Sequence, residues 1–522
     1  MFYWFVVFAM NYVMAIDAGT TGIRTLIFDD TGNILGQGYR EFPSIFPEPS
    51  WVEQDAESWW QTLAYTTKEA LNKAQLSPSN ILAISVTNQR ETIVPCDETG
   101  KPLRNAIVWQ DRRTVPQCDW IKKNIGMDKI YFTTGLTVDP YFSAPKILWI
   151  KENEPEIYER TYKFLLVHDF LVMKMSGKWI TDYSNASRTM LFDLETGEWS
   201  EDLLDAMEIP ADKLPTPVPS GVKIGELTED AAKHLGLVPG ITIVSGGGDQ
   251  QCAALGVGVS SPGKVKATTG TGTFVLAYLD RPVRDSKLRV LCSRHVIKDK
   301  FVMEASIFTT GSTLKWYRDQ FGLSEIEEAK KKNVDPYDIL TQEASEVPPG
   351  SEGVIVLPHF MGAGAPYWNP KARGVISGLA LGHSKKHIIR AILESVGYEI
   401  RANIEIMKER GINISELRIT GGASRSDVWN QIQADIVGTK IVKTKVEEAT
   451  AMGAAILAFI GAGRFRDVEE ATEHMISVDK HYMPDEHAQK IYDNMFQAYT
   501  KLYEALSNSD FYEIISEYDK YN

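Results

Sequence analysis

A strand, a turn made of glycine and threonine, and a returning strand occur twice in this chain, once near its start and once just past its middle. Residues 12–17 read as a buried strand, Ala18-Gly-Thr-Thr-Gly22 as a tight turn and residues 25–28 as the return. Residues 264–269, Gly270-Thr-Gly272 and residues 274–279 repeat the plan. Each hairpin must found its own sheet, so the chain is constrained to two similar halves. Residues 56–75 follow Asp55, an N-cap candidate, and carry Trp59, Trp60, Leu63, Ala64 and Leu71 at helical spacing, with residues 81–86 again a strand. Hairpin, helix and strand in that order describe a mixed α/β layer rather than a bundle or a sandwich.

The second half continues with a long helix over 387–410, a strand over 416–420 and the turn Gly421-Gly422. A helix over 427–437 ended by Gly438, a strand over 440–443 and a helix over 448–459 follow. Gly453-Ala-Ala455 gives the last of these a face small enough for close packing. Length alone, 522 residues, suggests three to four domains of roughly 150 residues each. The repeated hairpins revise that expectation to two α/β domains facing one another across a cleft, over 10–253 and 254–507, meeting near 250–258. The remainder, 508–522, is expected to be a tail that frays.

Composition narrows the function classes. A net charge of −14 repels polyanions at a distance and argues against a nucleic-acid scaffold. The four cysteines, Cys96, Cys118, Cys252 and Cys292, show no metal-ligand spacing and read as reduced thiols of a cytoplasmic protein. The uncharged first sixteen residues lack the basic start and small-residue cleavage site of a signal peptide, and fall short of the about 20 apolar residues of a spanning helix. Met10 is the expected functional start, with residues 1–9 an extension.

The chemistry concentrates at the glycine turns. Asp17 ends a strand, Thr20 and Thr21 bring hydroxyls, and Arg24 brings a cation; such a turn suits phosphate oxygens and a hydrated Mg²⁺. Thr268-Thr-Gly-Thr-Gly-Thr273 is its partner in the other half, and no GxxxxGK[ST] pattern is present. Residues 241–244 form a strand ending in Ser245-Gly-Gly-Gly-Asp249, where the glycines leave a ligand room to touch the backbone. Asp249 stands at the cleft mouth, placed to accept a hydroxyl proton as the oxygen attacks phosphorus. The plain alternative is that Asp249 only N-caps the next helix. Arg90 and Glu91 in Asn88-Gln-Arg-Glu-Thr92 offer hydrogen bonds to a polyol or, alternatively, a surface ion pair; Trp109 offers an aromatic wall or core packing. Cys252, three residues past Asp249, is a candidate reactive thiol.

These pieces, in this order, resemble the FGGY family of carbohydrate kinases. Residues 141–153 match the first signature of that family throughout, with Ser143, Lys146 and Trp149 in place. Gly374-Val-Ile-Ser-Gly-Leu379, followed by residues 387–394, matches the second. The resemblance spans residues 12–465 and implies the duplicated actin/hexokinase-like (ribonuclease H-like) fold, with ATP and Mg²⁺. Residues 88–92, 107–114, 140–143, 181–192, 248–251 and 362–368 resemble the branch of the family that acts on glycerol. That likeness implies that Arg90, Glu91, Tyr141, Asp249 and Gln250 bind the polyol and that Trp109 and Phe274 pack on its carbon edge. It implies Asp249 as the base, with Mg²⁺ held through water by Asp17 and Asp249. Thr20, Thr21, Gly22, Arg24, Thr271, Gly311, Lys315, Gly422 and Ser426 would line the nucleotide.

The chain departs from that branch at several places: Gly22 where serine is usual, Lys315 for glutamine and Ser426 for asparagine. His168-Asp-Phe170 stands for Asp-Thr-Trp, and residues 421–431 look more like the pentulose and gluconate kinases. The function implied is phosphorylation of a primary hydroxyl on a small polyol, glycerol giving sn-glycerol 3-phosphate, with a ketopentose or another polyol as the alternative. An assembly or sensor without turnover is the reading from outside the enzyme class. The partners expected are a small polyol or sugar, with no nucleic acid and no membrane span, homodimer and homotetramer both left open.

Overall fold

The computed structural model describes residues 12–518; the expectation about Met10 and residues 1–9 lies outside them. A first sheet is built from β1 (Tyr12–Ala18), β2 (Gly22–Phe28), β3 (Ile34–Glu41), β4 (Ile81–Asn88), β5 (Lys223–Glu226) and β6 (Thr242–Gly248), of which β1, β2, β4 and β6 are buried on both faces and the more polar β3 and β5 form the edges. Their order across the sheet is β3-β2-β1-β4-β6-β5. β1 pairs antiparallel with β2 and parallel with β4, which pairs parallel with β6. Helix α1 (Ala56–Ala74) covers one face, starting where Asp55 accepts from the Glu57 N–H at 3.0 Å. Two glycines of β3 admit it closely: a Cβ at Gly36 would lie 2.3 Å from the Ala70 carbonyl and one at Gly38 2.2 Å from that of Thr66.

Helix α2 (Asp249–Gly256) leads to the second sheet, formed by β7 (Gly263–Thr269), β8 (Thr273–Leu279), β9 (Leu291–Arg294), β10 (Phe301–Ile307), β11 (Ile414–Thr420), β12 (Lys440–Thr444) and β13 (Val478–Tyr482). Its order is β9-β10-β8-β7-β11-β12-β13. With β9 and the far-edge strands β5 and β13 set aside, strand order and direction match those of the first sheet, so β7 occupies the place of β1 and β11 that of β4; the far-edge strand precedes its neighbour in the first sheet and follows it in the second. The duplicated hairpin thus founds two equivalent sheets.

Helices α3 (Lys385–Glu409), α4 (Asp427–Val437), α5 (Ala449–Gly461) and α6 (Glu486–Asn508) complete the second half. Gly438 ends α4 in the left-handed region, as its sequence predicts. Although late in the chain, α5 buries Met452, Ala454, Ala455 and Leu457 against Val13, Ala15, Ala83 and Val244 of the first sheet. It crosses α2 glycine to glycine. A Cβ at Gly256 would stand 1.9 Å from the Ala449 carbonyl, and one at Gly453 would stand 2.0 Å from the Cys252 carbonyl. The small residues of the 448–459 segment therefore do permit close packing, and the contact they permit joins the two halves.

Residues 508–518, the described part of the expected tail, do not fray. Residues Phe511–Ser516 form a helix, and Tyr512 is buried beside Tyr503 of α6. That aromatic contact docks the segment on α6. Among the described residues no helix is long and apolar enough to cross a membrane. Because both α2–α5 contacts are with backbone, Gly453→Ala is expected to force the helices apart. The expected loss is about 1–3 kcal/mol, read as a lower apparent melting temperature; an unchanged one would show the crossing to be plastic.

Candidate active site

Three neighbouring parallel strands, β1, β4 and β6, deliver Asp17, Asn88-Gln89-Arg90 and Asp249 side by side at their carboxyl ends. The run Gly246-Gly247-Gly248 is needed for packing against protein, which corrects the expectation that these glycines make room for a ligand. A Cβ at Gly246 would sit 1.7 Å from the Val86 carbonyl, at Gly247 2.3 Å from Val296 and at Gly248 2.6 Å from the Arg90 side chain. Side chains then pin the run: Gly246 N–H donates to His168 Nε2 at 3.2 Å and Gly248 N–H to Ser184 Oγ at 2.9 Å. Asp249 is the first residue of α2, and Gly248 occupies the cap position, so the N-cap alternative is not met. Its Oδ1 accepts from Gln250 N–H at 2.7 Å and lies 3.3 Å from Arg90 Nε. Burial raises the Asp249 carboxyl above its ordinary value against the pull of Arg90 and Lys266.

Arg90 and Glu91 form no surface pair, being 2% and 1% exposed. Arg90 grips Glu304 of β10 through two bonds of 2.8 Å and donates to Gln251 at 3.1 Å and to Tyr141 Oη at 3.4 Å. Glu91 accepts from Arg188 Nε at 2.6 Å and holds a φ of +64°, a conformation that costs a residue with a side chain about 1–2 kcal/mol. Ser143 Oγ steadies it by donating to the Glu91 carbonyl at 3.1 Å. Lys146, fully buried, spends its ammonium on the carbonyls of Pro140, Tyr141 and Phe142 at 2.9, 2.7 and 2.7 Å. Those contacts give the first signature segment its physical sense, since they set the loop that presents Tyr141. Trp109 is half-buried, edge-on to Tyr141 with ring centroids 5.5 Å apart, and donates to Thr20 Oγ1 at 3.0 Å.

At the first turn Gly19 N–H closes on the Gly22 carbonyl at 3.0 Å, and Arg24 pairs with Glu448 from the second half. Burial, then Asp249 and Glu448, push the Asp17 carboxyl from 3.8 up to about 7, with Arg24 opposing. At the second turn the Thr271 carbonyl accepts from Thr310 N–H at 3.0 Å and Ser312 N–H at 3.2 Å, which brings Thr271 and Gly311 together. Gly421 crosses the end of β7, where a Cβ would lie 2.5 Å from the Thr269 carbonyl, and Gly422 follows it exposed. Ser426 caps α4 by accepting from Trp429 N–H at 3.3 Å. Lys315 lies exposed and pairs with Asp319 at 2.9 Å on its own helix. Phe274 sits on β8, half-buried against the cluster around Leu276 and Ala254.

Sequence reasoning missed Arg188, Lys266, Glu304 and Glu448. The available signal was a lone charge inside an apolar strand, as in Phe-Val-Met-Glu304-Ala-Ser-Ile. Cys252 was read as a candidate reactive thiol; it is fully buried, and burial pushes its thiol well up, so it is inert.

The N-terminal domain profile of the FGGY family of carbohydrate kinases matches residues 12–256, and the C-terminal domain profile of that family matches residues 265–462. A glycerol kinase of Saccharolobus islandicus is 42% identical over 91% of this chain and 92% of its own length. One of Thermococcus gammatolerans is 40% identical over 94% and 97%. Among solved structures, Plasmodium falciparum glycerol kinase with ADP superposes with a TM-score of 0.84 at 27% identity, covering 94% of this chain and 98% of that one. A ligand-bound xylulose kinase of Lactobacillus acidophilus reaches 0.89 at 24% identity, covering 96% and 99%; at that identity the likeness is one of fold.

The raised Asp17 carboxyl has a measurable consequence in the ligand-free protein. The folded state keeps a proton that the unfolded chain has released, so this group's contribution to stability falls as pH climbs from about 4 to about 7 and is level above. Asp17→Asn is expected to raise the melting temperature, by more near pH 8 than near pH 5. An advantage that shrinks with pH would contradict this.

Proposed function

We propose that this chain, which belongs to the FGGY family of carbohydrate kinases, transfers the γ-phosphoryl group of ATP to a primary hydroxyl of glycerol, giving sn-glycerol 3-phosphate. The observation that carries the reading is the placement of Asp249. It is a carboxyl of raised proton affinity, fixed through Oδ1 by Arg90 and the Gln250 N–H. Oδ2 is thereby left to take the hydroxyl proton as the oxygen attacks. Arg90, Glu91, Tyr141 and Gln250 supply hydrogen bonds to the polyol, and Trp109 and Phe274 face its carbon edge. Buried polar groups left unpaired by a wrong ligand give such a site its discrimination.

Thr20, Thr21, Gly22, Arg24, Thr271, Gly311, Lys315, Gly422 and Ser426 are the residues we assign to the nucleotide. Asp17 and Asp249 fit Mg²⁺: both bring hard oxygen donors, and the Asp249 carboxylate lies near enough to raise that of Asp17. Among the described residues no cluster of three or more side-chain ligands forms a cage, the pattern expected of an ion held through water and phosphates. Bound there, the ion would neutralise charge on the transferring phosphoryl group. Closure of the two halves would exclude water that otherwise hydrolyses ATP. We place the reaction in the cytoplasm, with no oligomer assigned.

Asp249→Asn is expected to lower turnover by about 10²–10⁴ with ADP affinity nearly intact; a loss within about tenfold would remove Asp249 as the base. In a coupled ADP-release panel of glycerol, xylulose, erythritol and gluconate, glycerol is expected to give the highest kcat/KM. Xylulose ahead of glycerol would move the assignment to a ketopentose kinase. No response to any of them would favour a sensor without turnover.

A further inference from the structure

The side chains that meet the polyol in this reading come mainly from the first half, yet two of them are held from the second. Lys266 of β7 and Glu304 of β10 lie in one register row across the second sheet, Lys266 opposite Leu276 and Leu276 opposite Glu304. With a side-chain period of two, both project from the face that carries Phe274. Lys266 and Glu304 are fully buried. Lys266 Nζ donates to Gln250 Oε1 at 2.7 Å and to the Gln250 carbonyl at 3.3 Å. Glu304 takes both Nη groups of Arg90 at 2.8 Å and lies 3.4 Å from Arg188 Nη1.

We propose that Lys266 and Glu304 are positioning residues, Lys266 fixing Gln250 as a hydrogen-bond donor toward the polyol and Glu304 fixing Arg90 against Asp249, so that substrate recognition is set by both halves. The inference rests on the proposed polyol kinase activity. An amide is ambiguous, with an acceptor at one end and two donors at the other. Burial brings the Lys266 ammonium down to about 7, with Glu304 and Asp249 opposing; in its charged form it has donors only, so bonding Oε1 to it turns the Nε2 hydrogens of Gln250 to the other side. A guanidinium gripped along its Nη edge by a carboxylate fork has its plane and its Nε direction set. That direction carries Arg90 Nε to Asp249. The charges of this row close on themselves: Arg188 and Arg90 overcome the effect of burial on Glu304 and hold its carboxyl down to about 2, so the fork stays ionised at working pH.

Double-mutant cycles on the full chain test this, with KM for glycerol and ATP from ADP release and ADP affinity by calorimetry. Lys266→Met is expected to raise the glycerol KM at least about tenfold, with ADP affinity within about threefold of wild type. In a Gln250→Ala background it is expected to add less than about threefold, because its partner is already gone. Glu304→Gln is expected to behave alike against Arg90→Ala. Unchanged ADP affinity reports that a variant is folded. Should either fail that criterion, Lys266→Arg or Glu304→Asp takes its place, with a smaller rise and the same non-additivity expected. Equal effects in both backgrounds, or ATP and glycerol KM rising together, would overturn the positioning roles while leaving the kinase reading standing. A wild-type protein that releases no ADP on addition of a polyol would overturn that reading itself.

Discussion

The bidentate bond between Arg90 and Glu304 is the contact on which the site depends, because its partners come from different halves and neither is exposed. Stripping one partner from a buried pair costs about 3–5 kcal/mol, so each half holds a charge it could not keep alone. Around this pair Arg188 and Lys266 join Glu91 and Asp249, three cations balanced by three carboxylates when Arg90 and Glu304 are included. A balanced network of this kind adds little net stability over an apolar core of the same volume. Its value is directional, since forked and charge-assisted bonds tolerate few geometries.

The position of the network follows from topology. In both sheets the chain enters by a hairpin and then adds parallel strands beside its first strand, so the turns that follow emerge at one edge of each sheet. Ligand sites in such sheets lie outside the carboxyl ends of parallel strands. β6, β4 and β1 are neighbours, and at roughly 4.8 Å per strand their ends put the Asp249 carboxylate, a guanidinium and the Asp17 carboxylate within one small-molecule span. The glycine crossing of α2 and α5 then keeps the two halves in backbone contact at one point, beside the helix that Asp249 begins.

Most of this architecture was legible in the sequence because it has local causes. The duplicated hairpin, Asp55 as cap, Gly438 as stop and the small face of α5 each act within a few residues, and the structure carries them with shifts of up to three residues at element ends. The predicted polyol residues from the first half, Arg90, Trp109, Tyr141, Asp249 and Gln250, do converge. What was not legible depends on contacts distant in sequence. Arg188 and Glu304 reach the site from elements far along the chain; a lone charge inside an apolar strand marks Glu304 as needing a partner, but nothing local to either says which residue that partner is. The Ser245-to-Asp249 glycines were noticed for the right position and the wrong cause, because a glycine needed against a carbonyl looks in sequence like one needed against a ligand. Lys146 was noticed only as part of a signature; its three carbonyl partners lie within six residues, but the loop shape that gathers them does not follow from spacing.

The departure at Gly22 has a cause of the same long-range kind. A Cβ there would stand 2.5 Å from the Arg40 carbonyl of β3, so this backbone admits no serine, and the hydroxyls of the first turn reduce to Thr20 and Thr21. Thr20 Oγ1 already accepts from the Trp109 indole at 3.0 Å. A hydroxyl that accepts from one donor keeps its own proton to give, so the bond from Trp109 leaves Thr20 able to donate at the turn. The ring that forms one wall of the proposed polyol site is thereby bonded to the turn proposed for phosphate, and a single hydrogen bond inside the first half joins the two.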